Sequence, residues 1–93
     1  MTDQLDHQVA SRVTYSELSD LMKRTAGVVV DPQELEQRSA SGFDSFGLDS
    51  LGLLGIVAEL EKRHAVGLPE NAEKCKTPAE FLALVNDALT KGA

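Results

Sequence analysis

Leu53, Ile56, Val57 and Leu60 recur at the spacing of one helix face, and this leaves the chain little choice of fold class. At about 100° per residue they share one narrow arc, so a helix from Asp49 or Ser50 to about His64 must bury that arc against other elements. Gly67 and Pro69 break the pattern beyond it. Thr77-Pro78-Ala79-Glu80 is a second clear helix start: threonine caps, proline takes the first helical position, and glutamate completes a capping box. Phe81, Leu82, Leu84, Val85, Ala88 and Leu89 then follow at helical spacing up to about Leu89. Near the amino end, Thr14 and Glu17 form another capping-box pattern. Behind it Tyr15, Leu18, Leu21 and Met22 make the stripe of a helix from about Tyr15 to Thr25, which Gly27 ends.

The connections are read from what the helices leave over. Val28-Val29-Val30 is the one β-like run, but Asp31-Pro32 closes it after three residues and nothing elsewhere resembles a partner strand. It is read as an extended loop segment with buried valines. A connection as long as Gly27 to Leu48 is acceptable in a small bundle only if pinned to the core, with Val29, Leu35, Phe43 and Phe46 as the pins. A short helical turn is expected around Gln33 to Gln37, and one short helix at Glu70 to Lys74. The prediction is an all-α, four-helix bundle with three main helices and one short third helix. Residues 1–13 are expected to form a flexible tail and residues 14–90 the domain. Aromatic residues are only 4%, without Trp, so the core must consist mainly of Leu, Val, Ile and Ala.

Ninety-three residues support one modest core but not a core plus an enclosed enzyme cleft. The net charge of −6 argues against nucleic acid, whose phosphates reward lysine and arginine, and suits encounters with basic patches on partner proteins. The single cysteine, Cys75, excludes an internal disulfide and reads as a small packed residue in a reducing cytoplasm. The polar, acidic start of the chain is neither a signal peptide nor a membrane span, so a cytoplasmic monomer with no membrane partner is expected. No Cys/His pair has metal-ligand spacing, and no Gly-rich loop precedes a helix.

The helix over residues 50–64 carries more apolar surface than one core face needs. Leu51, Leu54 and Ala58 lie on an arc roughly opposite the first. They either dock a partner or lie under the loop that precedes the helix. Gly52 and Gly55 each cost about 1 kcal/mol relative to alanine in a helix interior. Their spacing suggests a low-relief surface beside Leu51 and Leu54 that another backbone can approach. Asp49, Glu59 and Glu61 are the candidate acidic contacts, Glu61 beside the leucine face.

At the mouth of that helix stands Gly47-Leu48-Asp49-Ser50-Leu51, with Asp49 suited to cap and Ser50 at the first turn. Ser50 lacks the base that a nucleophilic serine needs. His7 lies in the expected tail, and His64 lies fourteen residues along the helix, about 20 Å away at 1.5 Å per residue. The string from Phe43 to Leu51 resembles the phosphopantetheine attachment motif of acyl carrier proteins. The end of the chain, Lys76 to Asn86, looks like the last helix of free-standing carriers from type II polyketide pathways.

This resemblance implies an acyl-carrier-like bundle that is not an enzyme. It implies a 4'-phosphopantetheine arm at Ser50, donated from coenzyme A, with Asp49 as the flanking acid of the motif. It also implies acyl and malonyl thioesters passed among a phosphopantetheinyl transferase, a ketosynthase, a malonyl transferase and tailoring enzymes of polyketide biosynthesis. Leu51, Leu54, Ala58 and Glu61 would form the docking face. Fatty-acid carriers bear acids just after the motif serine, and this chain does not. Fatty-acid, peptidyl and D-alanyl carriers remain alternatives, as does an unmodified acidic helical adaptor.

Overall fold

The computed structural model describes residues 12–92, and the rest of the expected tail lies outside the described residues. Four α-helices follow one another: α1 (Tyr15–Ala26), α2 (Pro32–Gln37), α3 (Ser50–His64) and α4 (Pro78–Gly92). Two 3₁₀ turns, Phe43–Phe46 and Glu70–Lys74, flank α3 in sequence, and the second is the expected short third helix in tighter form. Among the described residues there is no strand. The helix at Pro32–Gln37 is a full α-helix because Asp31 caps it, accepting from Gln33 N at 2.8 Å, and Pro32 takes its first turn.

The caps act much as their residue types dictate. Thr14 Oγ1 accepts from Glu17 N at 3.2 Å, and Gly27 closes α1 in the left-handed region at φ 71°. Thr77 Oγ1 accepts from Glu80 N at 3.1 Å, while Glu80 reaches one residue further back than a capping box requires, accepting from Lys76 N at 2.9 Å. α4 continues past Leu89 to Gly92. α3 ends before Gly67: Ala65, a non-glycine residue at φ 53°, makes the reversal. Glu61 secures it, since its Oε2 accepts from Leu68 N at 2.8 Å.

Leu18, Leu21 and Met22 of α1 meet Leu53, Ile56, Val57 and Leu60 of α3 and Phe81, Leu82, Val85 and Leu89 of α4 in one core. Ser19 is buried with them because its hydroxyl donates to Val30 O at 2.6 Å, a tie that periodicity does not reveal. That bond holds the valine run extended without a partner strand. Val28 and Val30 are half-buried, but Val29 is 79% exposed and pins nothing, since successive residues of an extended segment point to opposite sides.

The long connection is held elsewhere. Leu35, Phe43 and Leu48 are buried, and Phe43 meets Phe81 edge-on at 5.9 Å. Phe43 N donates to Lys76 O at 2.7 Å and Ala79 N to Ser39 O at 3.0 Å, so the loop is bonded along the start of α4. Phe46 is half-buried beneath the Arg38 guanidinium, 4.6 Å from its ring centroid. Val13, at the end of the expected tail, belongs to the core at 2% exposure. The Asn86 side chain both accepts from Val13 N at 2.7 Å and donates to Val13 O at 3.0 Å.

Candidate functional site

The first turn of α3 is built by four consecutive residues with different tasks. Gly47 closes the 3₁₀ turn at φ 88°, a conformation that favours glycine. Leu48 is buried, its N–H bonded to Phe43 O at 3.1 Å, and anchors the chain immediately before the helix. Asp49 is the cap and accepts from Gly52 N at 2.8 Å. Ser50, the first helical residue, is exposed. Its hydroxyl thus stands at the positive end of a 15-residue helix, where a covalently attached anion is tolerated and disturbs no core contact.

Among the described residues no histidine stands beside it. His64 Nε2 lies 3.2 Å from Glu17 Oε2, tied to α1 at the opposite end of α3, and His7 lies outside the described residues. Arg63 joins the same cluster, 3.4 Å from Glu17, 3.5 Å from Asp20 and 3.7 Å from Glu59. Hydrogen bonding from Arg24, aided by Arg63, holds the Asp20 carboxyl below its usual range. Glu59 is therefore an ion-pair partner within the fold.

Leu51 is 74% exposed and Leu54 45%, and Ala58 is exposed as well, so the loop does not fold back over them. Ser50, Leu51 and Leu54 share one shallow hollow of about 350 Å³ with Glu73 and Lys74. Glu61 is half-buried and lines a neighbouring hollow with Leu54, but one of its oxygens is committed to Leu68 N.

The two glycines do something other than flatten the leucine face. A methyl group at Gly52 would sit 2.7 Å from Leu48 Cδ1 and 3.1 Å from Ala26 Cβ, and one at Gly55 would sit 3.8 Å from Thr25 Cβ. What comes close from another helix is the last turn of α1, through the Cβ atoms of Ala26 and Thr25, inside the same molecule.

Beside Ser50 lies a groove of about 740 Å³ that residue spacing alone does not suggest. Its apolar lining includes Phe43, Leu48, Leu53 and Cys75, and Lys74 and Lys76 also border it. Burial, and secondarily Glu80, pushes the Cys75 thiol up, so it lines the groove as an unreactive group. A hollow of similar size, about 730 Å³, lies between α1, α2 and α4 and includes none of residues 47–51. Among the described residues no group of three or more His, Cys, Asp or Glu could hold a metal, and no helix is long and apolar enough to cross a membrane.

Comparison with known proteins bears on this geometry directly. The family model of the phosphopantetheine attachment site matches residues 16–85. A "Probable acyl carrier protein" of Streptomyces coelicolor is 71% identical over 93 residues, covering 99% of each chain. The curamycin polyketide synthase acyl carrier protein of Streptomyces cyaneus is 58% identical, covering 89% of this chain and 94% of its own. The structure of the actinorhodin apo acyl carrier protein from S. coelicolor superimposes with a TM-score of 0.73 at 32% identity, covering 90% of this chain and 99% of its own.

Proposed function

Because this chain belongs to the phosphopantetheine-attachment family and is an acyl carrier protein, not a catalyst, we propose that Ser50 is the residue that bears its 4'-phosphopantetheine arm. The observation that carries this assignment is an exposed serine at the first position of α3, held outward by the Leu48 anchor and the Asp49 cap. The bound arm supplies the thiol on which an acyl group is held as a thioester. The chain's own residues present the hydroxyl, keep the helix start rigid and leave its surroundings open. Since His64 is committed to Glu17, the base that activates Ser50 Oγ comes from a separate phosphopantetheinyl transferase, which also brings coenzyme A.

The pathway reading follows from the polyketide synthase carriers among the relatives. The protein passes acyl and malonyl thioesters between a malonyl transferase, a ketosynthase and tailoring enzymes of polyketide assembly. Leu51, Leu54 and Ala58 are the face those enzymes meet. Glu61 borders it while holding the Leu68 loop, and Asp49 is the acid offered next to the arm.

Intact-mass measurement after co-expression with a broad-specificity phosphopantetheinyl transferase tests the site. The native chain gains one arm, and Ser50→Ala gains none while keeping its helical circular dichroism, because losing a hydroxyl at this exposed position costs at most about 1 kcal/mol. A modified Ser50→Ala variant refutes the assignment. A folded native chain that stays unmodified would favour the adaptor reading.

A further inference from the structure

Glu73 and Lys74 border both hollows at the head of α3 that include Ser50. The groove runs between the segment that carries Ser50 and the segment 73–76, and the Phe43 N–Lys76 O bond joins the two. Charge is unevenly arranged around it. Asp44 and Asp49 stand on the serine's own segment, while Lys74 and Lys76 stand on the facing one, with Glu73 beside them. Lys74 is exposed, and among the described residues neither lysine forms an ion pair with a carboxylate.

An anion fixed at Ser50 Oγ meets repulsion from Asp49 on its own strand of chain and finds a cation across the groove. An ammonium on a flexible four-carbon stem suits a phosphate as a mobile point charge. We infer that Lys74 is the counter-charge of the phosphodiester formed at Ser50, drawing the root of the arm against the 73–76 wall. Lys76 borders only the groove and is absent from the shallow hollow over Leu51 and Leu54, so it is not assigned this role. The inference rests on Ser50 being the attachment site.

Limited acetylation of amines with a small active ester, read per lysine by peptide mass spectrometry, tests it on the apo and arm-bearing forms with no acyl cargo. The only anion then added is the phosphodiester. A nearby anion favours the unreactive ammonium, and one charge pair at close range in water is worth about a fivefold change in the reactive fraction. Lys74 labelling should therefore slow about fivefold in the arm-bearing form relative to Lys23 and Lys62, two exposed lysines outside the groove. Most of that difference should disappear at ~1 M salt, where charges are screened within about 3 Å.

An unchanged Lys74 ratio on protein whose intact mass includes the arm overturns the inference and leaves the Ser50 assignment standing. Slowing that persists at high salt also overturns it, because the arm would then be covering Lys74 without pairing its charge. No mass gain at all sinks both readings together.

Discussion

On one flank of α3, Gly52 and Gly55 lie against Ala26 and Thr25 in the last turn of α1; on the other, Leu51, Leu54 and Ala58 face solvent. Both flanks combine small and apolar residues, and both border the face formed by Leu53, Ile56, Val57 and Leu60. Their difference lies in what faces them. Further along the glycine flank, Arg63 continues the contact with α1 by pairing with Glu17 and Asp20, while Glu59 pairs with Arg63 within α3. Among the described residues the leucine flank has no such ion-paired helix against it, and it runs from the serine that we assign as the attachment point. A helix packed on two sides and bare on a third can meet a partner there without unfolding anything.

The largest test of this division lies on the core face between the flanks. Leu60 is 1% exposed, and Leu60→Ala should cost about 2–5 kcal/mol, read from denaturant unfolding. For so small a domain that is a large share of its stability. An unchanged midpoint would mean that the faces of α3 are reversed.

A finer test compares the two glycines. Each gains about 1 kcal/mol of helix propensity as alanine. At Gly52, however, the new methyl collides with the buried Leu48 and crowds Ala26, and overpacking costs about 1–3 kcal/mol. Gly52→Ala should therefore be destabilising, whereas Gly55→Ala, in ordinary contact with Thr25, should stabilise by up to about 1 kcal/mol. Equal shifts for the two variants in thermal melts would break the glycine-flank argument.

The smallest change in stability belongs to the leucine flank. Leu54→Glu should stay within about 0.5 kcal/mol of the native chain, as surface positions do. Kinetics of arm attachment and of acyl transfer by a cognate enzyme should nevertheless show weaker binding to the variant. Native transfer rates would remove Leu54 from the docking face.

Much of this architecture is written locally. The caps at Thr14, Asp49 and Thr77 and the stops near Gly27 and Gly67 mark helix ends because orphan amides and carbonyls must be satisfied nearby in sequence. Ser50 is conspicuous for the same reason: motif, cap and helix start coincide in five residues. Periodicity also separates the core arc of α3 from its leucine arc correctly. It does not say where around α3 the neighbouring helix lies, which is why Gly52 and Gly55 look like open surface until Ala26 and Thr25 are in place. Val29 fails for a related reason, since a three-residue extended run does not show which residue turns outward, and the Ser19–Val30 bond decides it. The groove beside Ser50 is harder still to foresee. Segments 42–50 and 73–76 are far apart in sequence and adjacent only through long-range bonds such as Phe43 N to Lys76 O.

The paired bonds between Asn86 and Val13 join positions 73 residues apart, across nearly the whole described chain. Such a contact forms only when the segment before α1 rests against α4. The Val13 amide is consequently a reporter of the closed state. Its hydrogen exchange records how often the segment before α1 parts from α4, independently of events at the head of α3. Protection at Val13 that is equal in the apo and arm-bearing proteins would mark the bundle as a single mechanical unit, with the arm moving on its outside.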